Sequence, residues 1–548
     1  MTEILQELKA TFFEFISTTD YAMSYNQVRF YVFLIVFLCI YFMLMHKTLK
    51  KLWILVGNIF FCIFSGWAGL VVMFGTAVVV YIISLLIELV YKKAEKDKAG
   101  LQLSPKEQVA FMVKYKRGAK VLLWLALIFI LGIWIYVKIC KYKGMPDVVS
   151  FEQWTSGMGI IVPLGISYYT LSVVGYLADV YWRKTKPVHN FIDLLVAITY
   201  FPHIIQGPIS KYDKLLKQIA DIPKFDYDRV CAGSQLILWG LIKKIVVADR
   251  LIVYTQAVFG ELAMYGGVEV VIAVLFSGIQ LYADFSGCMD IVIGVSQIMG
   301  IQLEANFRQP FFSKTASEFW TRWHMTLSAW TKAYIYLPIA MSPNFMKLVK
   351  TLKKIKLKWL SSFINSFVPL IAVWLFTGLW HGTGTDYILW GMYWCAMMTI
   401  SKETKFITDK LGKLLRIDTT KNYFRYWQYI RTYIIFVVGK CFTAAGGLTG
   451  FIAIWESMIS EHKLWVLFDE SLFQHGLDRK DFYIAVVGII VILLVDLAHE
   501  KGAKIRQAIA EVPLPVRWCI YISAIIVVVV WGMYGPGFDA SSFAYGEY

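Results

Sequence analysis

Long apolar runs are the feature of this sequence that most restricts its fold. Residues 28–45 form one run, and residues 53–91 form another that is long enough for two helices. About 18 consecutive apolar residues favour a membrane span, because roughly 20 residues of α-helix cross the hydrocarbon core of a bilayer. Further runs, some interrupted by polar residues, lie at 121–137, 160–177, 270–283, 291–301, 367–379, 388–400, 433–445, 484–497 and 518–531.

These runs predict an all-α polytopic membrane protein with about ten to thirteen membrane segments, some of them short or re-entrant. The composition agrees, because the chain of 548 residues is 58% hydrophobic and only 17% charged. A soluble protein of this length could bury such a composition only in an implausibly large core.

The positive charge of the chain is concentrated between the apolar runs. The formal net charge is +16, and basic residues gather at 92–120, 347–358 and 402–421. Short basic segments beside membrane spans are typical of the cytoplasmic side, so we favour the positive-inside rule over nucleic-acid binding. The eight cysteines are scattered without a CxxC pair, which indicates small buried hydrophobic residues rather than disulfides or a metal site.

The charge distribution also predicts the topology. With residues 92–120 in the cytoplasm, alternation of the spans places both termini on the extracytoplasmic side. The acidic segment 456–481 and the C-terminal residues 532–548, which contain no Lys or Arg, then lie outside. Residues 1–27 are too acidic for the start of a signal peptide and are interpreted as an external amphipathic segment.

These features predict five regions along the chain. They are an external amphipathic segment at 1–27, membrane spans with a basic cytoplasmic loop at 28–150, an irregular core at 151–400, C-terminal spans at 401–531, and an external tail at 532–548. Irregular backbone at membrane depth is tolerated only where it is buried in protein or lines a cavity, so we expect the functional centre in the core region.

Two histidines in apolar, tryptophan-rich surroundings are the first candidates for chemistry. Ionisable side chains at membrane depth are costly and often functional, and histidine can transfer a proton near neutral pH. In Trp320-Thr-Arg-Trp-His324, helical spacing predicts Trp320, Trp323 and His324 on one side of a short helix. Arg322 would then point elsewhere, to a carboxylate or a lipid headgroup. A buried structural histidine in an aromatic belt is the alternative.

The second histidine, His381, is surrounded by glycines. Gly378, Gly382 and Gly384 flank Trp380 and His381. Glycine permits close approach of a substrate or of another backbone segment, so a functional role and a structural role are both open for His381.

Other polar residues interrupt the apolar core. Residues 206–213 carry charge in a Pro- and Gly-containing segment, and Asp284 and Asp290 lie six residues apart. For the aspartates, helix–helix contacts or a salt bridge to a lysine such as Lys332 is favoured over catalysis. The sequence contains no HExxH, phosphate-binding loop or similar motif, so no metal or nucleotide site is predicted.

Five motifs occur in order and together carry a family resemblance. They lie at 206–210, 284–294, 306–311, 319–328 and 378–382. With these motifs the chain resembles the membrane-bound O-acyltransferase (MBOAT) family, and within it the bacterial cell-envelope branch that modifies polysaccharides. The resemblance implies a ring of helices around a central tunnel, in the cytoplasmic membrane of a bacterium.

The resemblance also implies roles for particular residues. His381 would be the general base and His324 would position or polarise a thioester carbonyl group; both are therefore candidate catalytic residues. A tyrosine near the end of the chain, Tyr545, is a candidate acyl acceptor, since the aromatic tail resembles those of envelope acylation systems. The candidate tunnel-lining residues are Trp320, Trp323, Trp380, Gly382, Ser210 and Asp284.

The expected activity is relay of an acyl group across the membrane for O-acylation of an envelope or secreted polysaccharide. No permanently bound cofactor is expected, and the donor substrate would be acetyl-CoA or another acyl thioester, including an acyl carrier, on the cytoplasmic side. The expected partners are the bilayer and a secreted or membrane-anchored SGNH-type acyltransferase outside, without nucleic acid.

Three alternatives remain open. One is D-alanyl transfer from a carrier protein to teichoic acid. Another is an ion-coupled transporter that uses Asp284, Asp290 and Lys332, although the chain lacks the inverted halves expected of such a protein. The third is a structural scaffold, which would leave the buried histidines without a function.

Overall fold

The computed structural model describes residues 23–64, 66–99, 101–102, 104–460 and 464–534. Over these residues the protein is helical, and strand is confined to the parallel pair β1 (Asp147–Val148) and β2 (Ile160–Ile161). The predicted all-α class is therefore confirmed. The N-terminal segment up to residue 22 and the tail from residue 535, with Tyr545, lie outside the described residues.

The described chain divides into two compact units. Unit 1 contains residues 23–230 and 295–303, and unit 2 contains residues 231–294 and 304–534. The five regions expected from sequence stay a prediction, since the units are defined by contacts and not by position along the chain or across a membrane. His324, His381 and the residues around them belong to unit 2.

Unit 1 is built around the first long apolar helices. Its helices are α1 (Val28–Met43), α2 (Lys47–Ile63), α3 (Trp67–Lys98), α4 (Pro105–Tyr142), α5 (Phe151–Thr155), α6 (Ile166–Tyr181), α7 (Phe191–Ile198), a 3-10 turn (Phe201–His203) and α8 (Tyr212–Ala220). Helix α9 (Tyr227–Leu241) continues from unit 1 into unit 2. The run 53–91 thus contains parts of two helices, as predicted.

Unit 2 contains the remaining helices. They are a π-helix (Ile242–Ala248), α10 (Asp249–Gly260), α11 (Val268–Ile298, whose last residues belong to unit 1), a 3-10 turn (Pro310–Phe312), α12 (Ala316–Arg322), α13 (Met325–Thr331), a second π-helix (Lys332–Tyr336), α14 (Leu337–Ala340), α15 (Pro343–Lys354), α16 (Lys358–His381), α17 (Thr385–Glu403), α18 (Lys405–Leu414), α19 (Asn422–Ala444), α20 (Leu448–Ser460), 3-10 turns (Leu464–Leu467 and Ser471–Phe473), α21 (Arg479–Glu500), α22 (Ile505–Glu511) and α23 (Leu514–Trp531).

Six helices in the described part of the chain are long and apolar enough to cross a membrane: α3, α4, α11, α16, α21 and α23. This is fewer than the ten to thirteen segments expected from the apolar runs. Other runs form shorter helices, such as α1, or are divided between helices and irregular segments. With the family match reported below, these helices make the chain an integral membrane protein.

The basic segments are largely helical, which differs from the predicted loops. Helix α3 continues to Lys98 and α4 begins at Pro105, so much of the segment 92–120 is helical. Helix α4 starts with a capping box in which Ser104 and Glu107 bind each other's backbone N–H groups, and Pro105 occupies the first helical position. These residue types are favoured at helix starts, which explains why the helix begins among charged residues.

Candidate active site

His324 lies at the junction of two short helices. Helix α12 ends at Arg322, and His324 adopts a left-handed backbone conformation, with φ of 45°, just before α13. The prediction that Trp320, Trp323 and His324 share one side of a single helix is therefore wrong, because Trp323 has an extended backbone and His324 a left-handed one. The chain turns at this residue, so its ring direction does not follow from helical spacing.

Asn306 fixes the orientation of the His324 ring. The Asn306 side-chain oxygen accepts hydrogen bonds from the backbone N–H (3.0 Å) and hydroxyl group (2.9 Å) of Thr326, and it lies 3.2 Å from His324 Nδ1. Since this oxygen can only accept, Nδ1 of His324 must carry the hydrogen. In the neutral ring, Nε2 is then left with a lone pair.

Burial favours this neutral form. His324 is 1% exposed and lies between α12 and α13, outside the six long apolar helices. Loss of solvation lowers the pKa of its imidazole to about 3. Its Nε2 atom is buried and has no hydrogen-bond partner among the described residues. The site therefore contains a neutral imidazole with an available acceptor atom.

His381 is the last residue of α16, and neighbouring glycines allow α17 to approach it. A Cβ atom on Gly378 would lie 2.5 Å from the backbone oxygen of Tyr387, and one on Gly382 would lie 2.0 Å from the Tyr387 ring. The glycines thus accommodate protein groups of α17. The structure thus shows close approach of another chain segment at these two glycines.

The two histidines are close together. Their ring centroids are 6.2 Å apart. The Trp380 ring lies 5.8 Å from the His324 ring and 4.7 Å from the His381 ring, and the Trp390 ring lies 5.3 Å from the His381 ring. Residues separated by 57 positions in sequence therefore form one buried histidine pair, as the family resemblance implied.

An apolar groove of about 370 Å³ reaches His324. It is lined by the buried residues Trp320, His324, Leu327, Thr331, Trp374 and Thr377, by the half-buried Leu370 and Val373, and by the exposed rim residues Ser317, Thr321 and Lys332. The indole Nε1 atoms of Trp320 and Trp374 are buried and, within the described residues, have no hydrogen-bond partner. Such donors in a concave apolar site can orient a ligand.

A second cavity, of about 400 Å³, is polar, and Asn306 lies in its lining. Lys243 Nζ is 2.6 Å from an Asp290 carboxylate oxygen and 2.9 Å from the Ser286 hydroxyl oxygen. Other polar residues in the lining of this cavity include Tyr282, whose hydroxyl group donates a hydrogen bond to Asp496 at 2.7 Å. These charged and polar groups bind one another.

A buried ion cluster lies elsewhere in unit 2. Lys244 Nζ is 2.6 Å from Asp284 and 2.9 Å from Asp249, and each of the three side chains is at most 2% exposed. We call Lys244, Asp249 and Asp284 the lysine cluster. The expected salt bridge of Asp284 is confirmed, but its partner is Lys244 and not Lys332. Asp284 lines neither the groove nor the polar cavity.

Arg322 binds carboxylates, as expected. Its guanidinium group lies 2.7 Å from Glu318 and 2.7 Å from Glu500. These bonds connect α12, just before His324, to the end of α21. The segment that carries His324 is thereby held by charge-assisted hydrogen bonds.

The other predicted lining residues have different locations. Trp323 packs among aromatic rings, including Phe307 at 5.0 Å and Phe319 at 5.4 Å, and does not line the groove. Ser210 belongs to unit 1, where its hydroxyl group lies 3.5 Å from His203 Nδ1. Over the described residues, the structure contains no group of three His, Cys, Asp or Glu side chains that could hold a metal ion.

Three residues of interest were not selected from sequence. Asn306 lies within one of the five motifs, but its contact with His324 spans 18 positions and has no local signal. Trp374 is seven positions before His381 on the same helix, a spacing that places both on a similar face. His203 is a further buried histidine, in unit 1.

Part of the chain matches the model of a known protein family. Residues 183–353 match the model of MBOAT, the membrane-bound O-acyltransferase family. The match includes His324 and ends before His381. The chain therefore carries an MBOAT family domain within an all-α membrane protein, and the predicted family resemblance is confirmed.

Several curated bacterial proteins are similar to the chain. A probable alginate O-acetylase, AlgI, of Pseudomonas aeruginosa is 28% identical over 55% of this chain and 52% of its own length. A peptidoglycan O-acetyltransferase of Helicobacter pylori is 26% identical over 73% of this chain and 74% of its own. A teichoic acid D-alanyltransferase of Bacillus subtilis is 31% identical over 43% of this chain and 58% of its own length. The chain spans about half the length of the alginate O-acetylases that it matches.

Proposed function

We propose that the protein is a membrane-bound O-acyltransferase that moves an acetyl group from a cytosolic thioester towards an envelope or secreted polysaccharide. The observation that carries this proposal is the buried pair of His324 and His381, with ring centroids 6.2 Å apart beside an apolar groove. The similarity to O-acetylases supports the acetyl group.

His381 is the proposed general base. It removes the proton from an attacking hydroxyl group, whose oxygen forms a bond to the thioester carbonyl carbon while the carbonyl electron pair moves to oxygen. When the carbonyl bond re-forms, the carbon–sulfur bond breaks and the thiolate takes the proton from His381. The products are an ester and a free thiol, and His381 returns to its neutral state.

The hydrogen bond to Asn306 limits the role of His324. A neutral His324 with its hydrogen on Nδ1 has no hydrogen on Nε2, so it cannot donate from Nε2 to a carbonyl oxygen. Of the two roles implied by the resemblance, we therefore favour positioning over polarisation. In this scheme Nε2 accepts a hydrogen bond from an amide N–H of the pantetheine arm, close to the thioester.

We further propose that Tyr545 is the first acceptor, on the extracytoplasmic side, and that a separate SGNH-type acyltransferase receives the acyl group from it. The tail lies outside the described residues, so this proposal rests on the sequence resemblance and on the absence of Lys and Arg from residues 532–548. A phenyl ester is an activated acyl group, so transfer from tyrosine to a sugar hydroxyl is downhill.

Acyl-tyrosine formation can be tested by mass spectrometry after purified protein is incubated with isotopically labelled acetyl-CoA. We expect label on Tyr545, loss of that label in Tyr545→Phe, and retention in the matched control Tyr548→Phe. Label on Tyr548 instead would move the acceptor along the tail. No label on any residue or added polysaccharide would contradict the acetyl-CoA relay.

D-alanyl transfer is the second candidate, favoured by the similarity to the teichoic acid D-alanyltransferase of Bacillus subtilis. The same assay with a D-alanyl carrier protein as donor distinguishes the two. The transporter alternative has less support, because Asp284 and Asp290 are each bound to a lysine.

A further inference from the structure

Two tryptophans with buried indole N–H groups line the same apolar groove. Trp320 is 7% exposed and Trp374 is 4% exposed, and their ring centroids lie 4.8 Å apart in an edge-to-face arrangement. Neither Nε1 atom has a hydrogen-bond partner in the described part of the chain, and both residues line the groove with His324. A buried donor without a partner is destabilising, so two such donors in the wall of one cavity indicate that a ligand supplies an acceptor.

The chemistry of the groove defines the acceptor that it would bind. Donors are supplied by Trp320 and Trp374, whereas His324 Nε2 can only accept in its neutral tautomer. Of the other lining side chains, Leu327, Leu370 and Val373 are apolar, and the buried Thr331 and Thr377 hydroxyl groups already donate to backbone oxygens of their own helices. A small uncharged group with one strong acceptor oxygen therefore fits best. A thioester carbonyl has this character, and negative charge develops on its oxygen during acyl transfer.

We propose that the apolar groove is the acyl subsite, and that the indole N–H groups of Trp320 and Trp374 donate hydrogen bonds to the thioester carbonyl oxygen. This proposal rests on the proposed acyltransferase function and names the residues that stabilise the reacting oxygen. The exposed rim residue Lys332 lies where it can meet the anionic end of a donor that enters the groove.

The reaction step balances without another reactant. As the acceptor oxygen bonds to the carbonyl carbon, His381 takes its proton and the carbonyl electron pair moves to the oxygen held by the two indoles. The electron pair then returns, the carbon–sulfur bond breaks, and the departing thiolate takes the proton from His381. Fixed donors in a site that excludes water stabilise the intermediate more effectively than solvent does.

The test compares the maximal rate (kcat) and the half-saturating acetyl-CoA concentration (KM) for single-turnover acetyl transfer in the purified Trp320→Phe and Trp374→Phe proteins. Phenylalanine removes the N–H group and retains an aromatic ring. Loss of one oxyanion donor typically lowers kcat by about 10²–10³-fold, and we expect losses of this size with KM changed by less than about threefold. The matched control is Trp394→Phe.

Trp394 is suited to this control because it belongs to the same aromatic cluster. Its ring centroid lies 4.9 Å from that of Trp320, and its Nε1 atom also has no partner among the described residues, but it does not line the groove. Its kcat should stay within about threefold of wild type. Equal losses in all three variants would indicate disturbed packing and would overturn the proposal.

A second variant separates the N–H group from the volume of the ring. At position 320, β-(3-benzothienyl)alanine replaces the indole N–H with sulfur at nearly the same shape. A fall in kcat with an unchanged melting temperature supports the proposal, and wild-type kcat refutes it. If the wild-type protein itself transferred no acyl group, the proposed function would fail; an active wild type with fully active variants would refute the acyl subsite alone.

Discussion

The lysine cluster and the apolar groove both belong to unit 2, but they differ in whether their buried polar atoms have partners within the protein. Lys244 is bound by two carboxylates within 2.9 Å. In the groove, by contrast, His324 Nε2, Trp320 Nε1 and Trp374 Nε1 are buried without hydrogen-bond partners in the described chain. We call these three atoms the groove nitrogens.

This difference separates a structural role from a functional one. Buried charges that bind one another offset part of their loss of solvation, and breaking such a cluster leaves an uncompensated charge. The groove nitrogens cost stability unless a ligand binds them, and unsatisfied polar groups of this kind are expected at functional sites. Changes to the lysine cluster should therefore alter stability, and changes around the groove should alter transfer.

The largest effect is expected for His381→Ala. Removal of a general base typically lowers the rate by about 10²–10⁴-fold, and we expect a loss of kcat of this size with little change in melting temperature. The control is His475→Gln, which changes another buried histidine, one that lies 2.8 Å from Glu269. If His381→Ala kept wild-type kcat, the assignment of the base would be wrong.

Lys244→Met should have the next largest effect, on stability. It leaves the carboxylates of Asp249 and Asp284 buried without their cation, and breaking a buried ion pair costs about 3–5 kcal/mol. Thermal unfolding in detergent would measure the loss. The double variant Lys244→Met with Asp284→Asn should recover part of it, since one of the two uncompensated charges is removed. A Lys244→Met protein with normal stability but no activity would contradict the structural role of the lysine cluster and indicate a functional one.

A smaller effect is expected for Asn306→Asp. This substitution replaces the amide beside His324 with a carboxylate of nearly the same shape. A carboxylate beside Nδ1 favours the imidazolium form and should raise the pKa of His324 from about 3 by about 1–3 units. Protonated His324 cannot accept a hydrogen bond at Nε2. As the pH is lowered, the Asn306→Asp protein should therefore lose activity at a higher pH than the wild-type protein does. The pH profile of kcat/KM measures this shift. An identical acid limb would indicate that His324 Nε2 does not take part.

The helical class, the candidate histidines and the ion pairing of Arg322 could be predicted from the sequence. Apolar runs indicated the helical class, and tryptophans and glycines beside His324 and His381 indicated the candidate site. The prediction for Arg322 was confirmed because a charge in an apolar segment needs a partner. Such predictions depend on local composition, which is present in the sequence itself.

The remaining features depend on contacts between distant residues. The left-handed backbone at His324 and its bond to Asn306 decide the tautomer, and neither follows from helical spacing. Lys244, which lies in a π-helix, binds Asp284 40 positions away. Choice of partner among several lysines is set by packing, so sequence predicted the salt bridge but not the lysine.

The most direct test of the account is a paired measurement of single-turnover acetyl transfer from acetyl-CoA and of melting temperature, in His381→Ala and Lys244→Met. The account predicts that His381→Ala loses transfer by about 10²–10⁴-fold at an unchanged melting temperature. It also predicts that Lys244→Met melts at a lower temperature, while its folded fraction transfers at the wild-type rate. Undiminished transfer in His381→Ala, or lost transfer in a stably folded Lys244→Met, would contradict it.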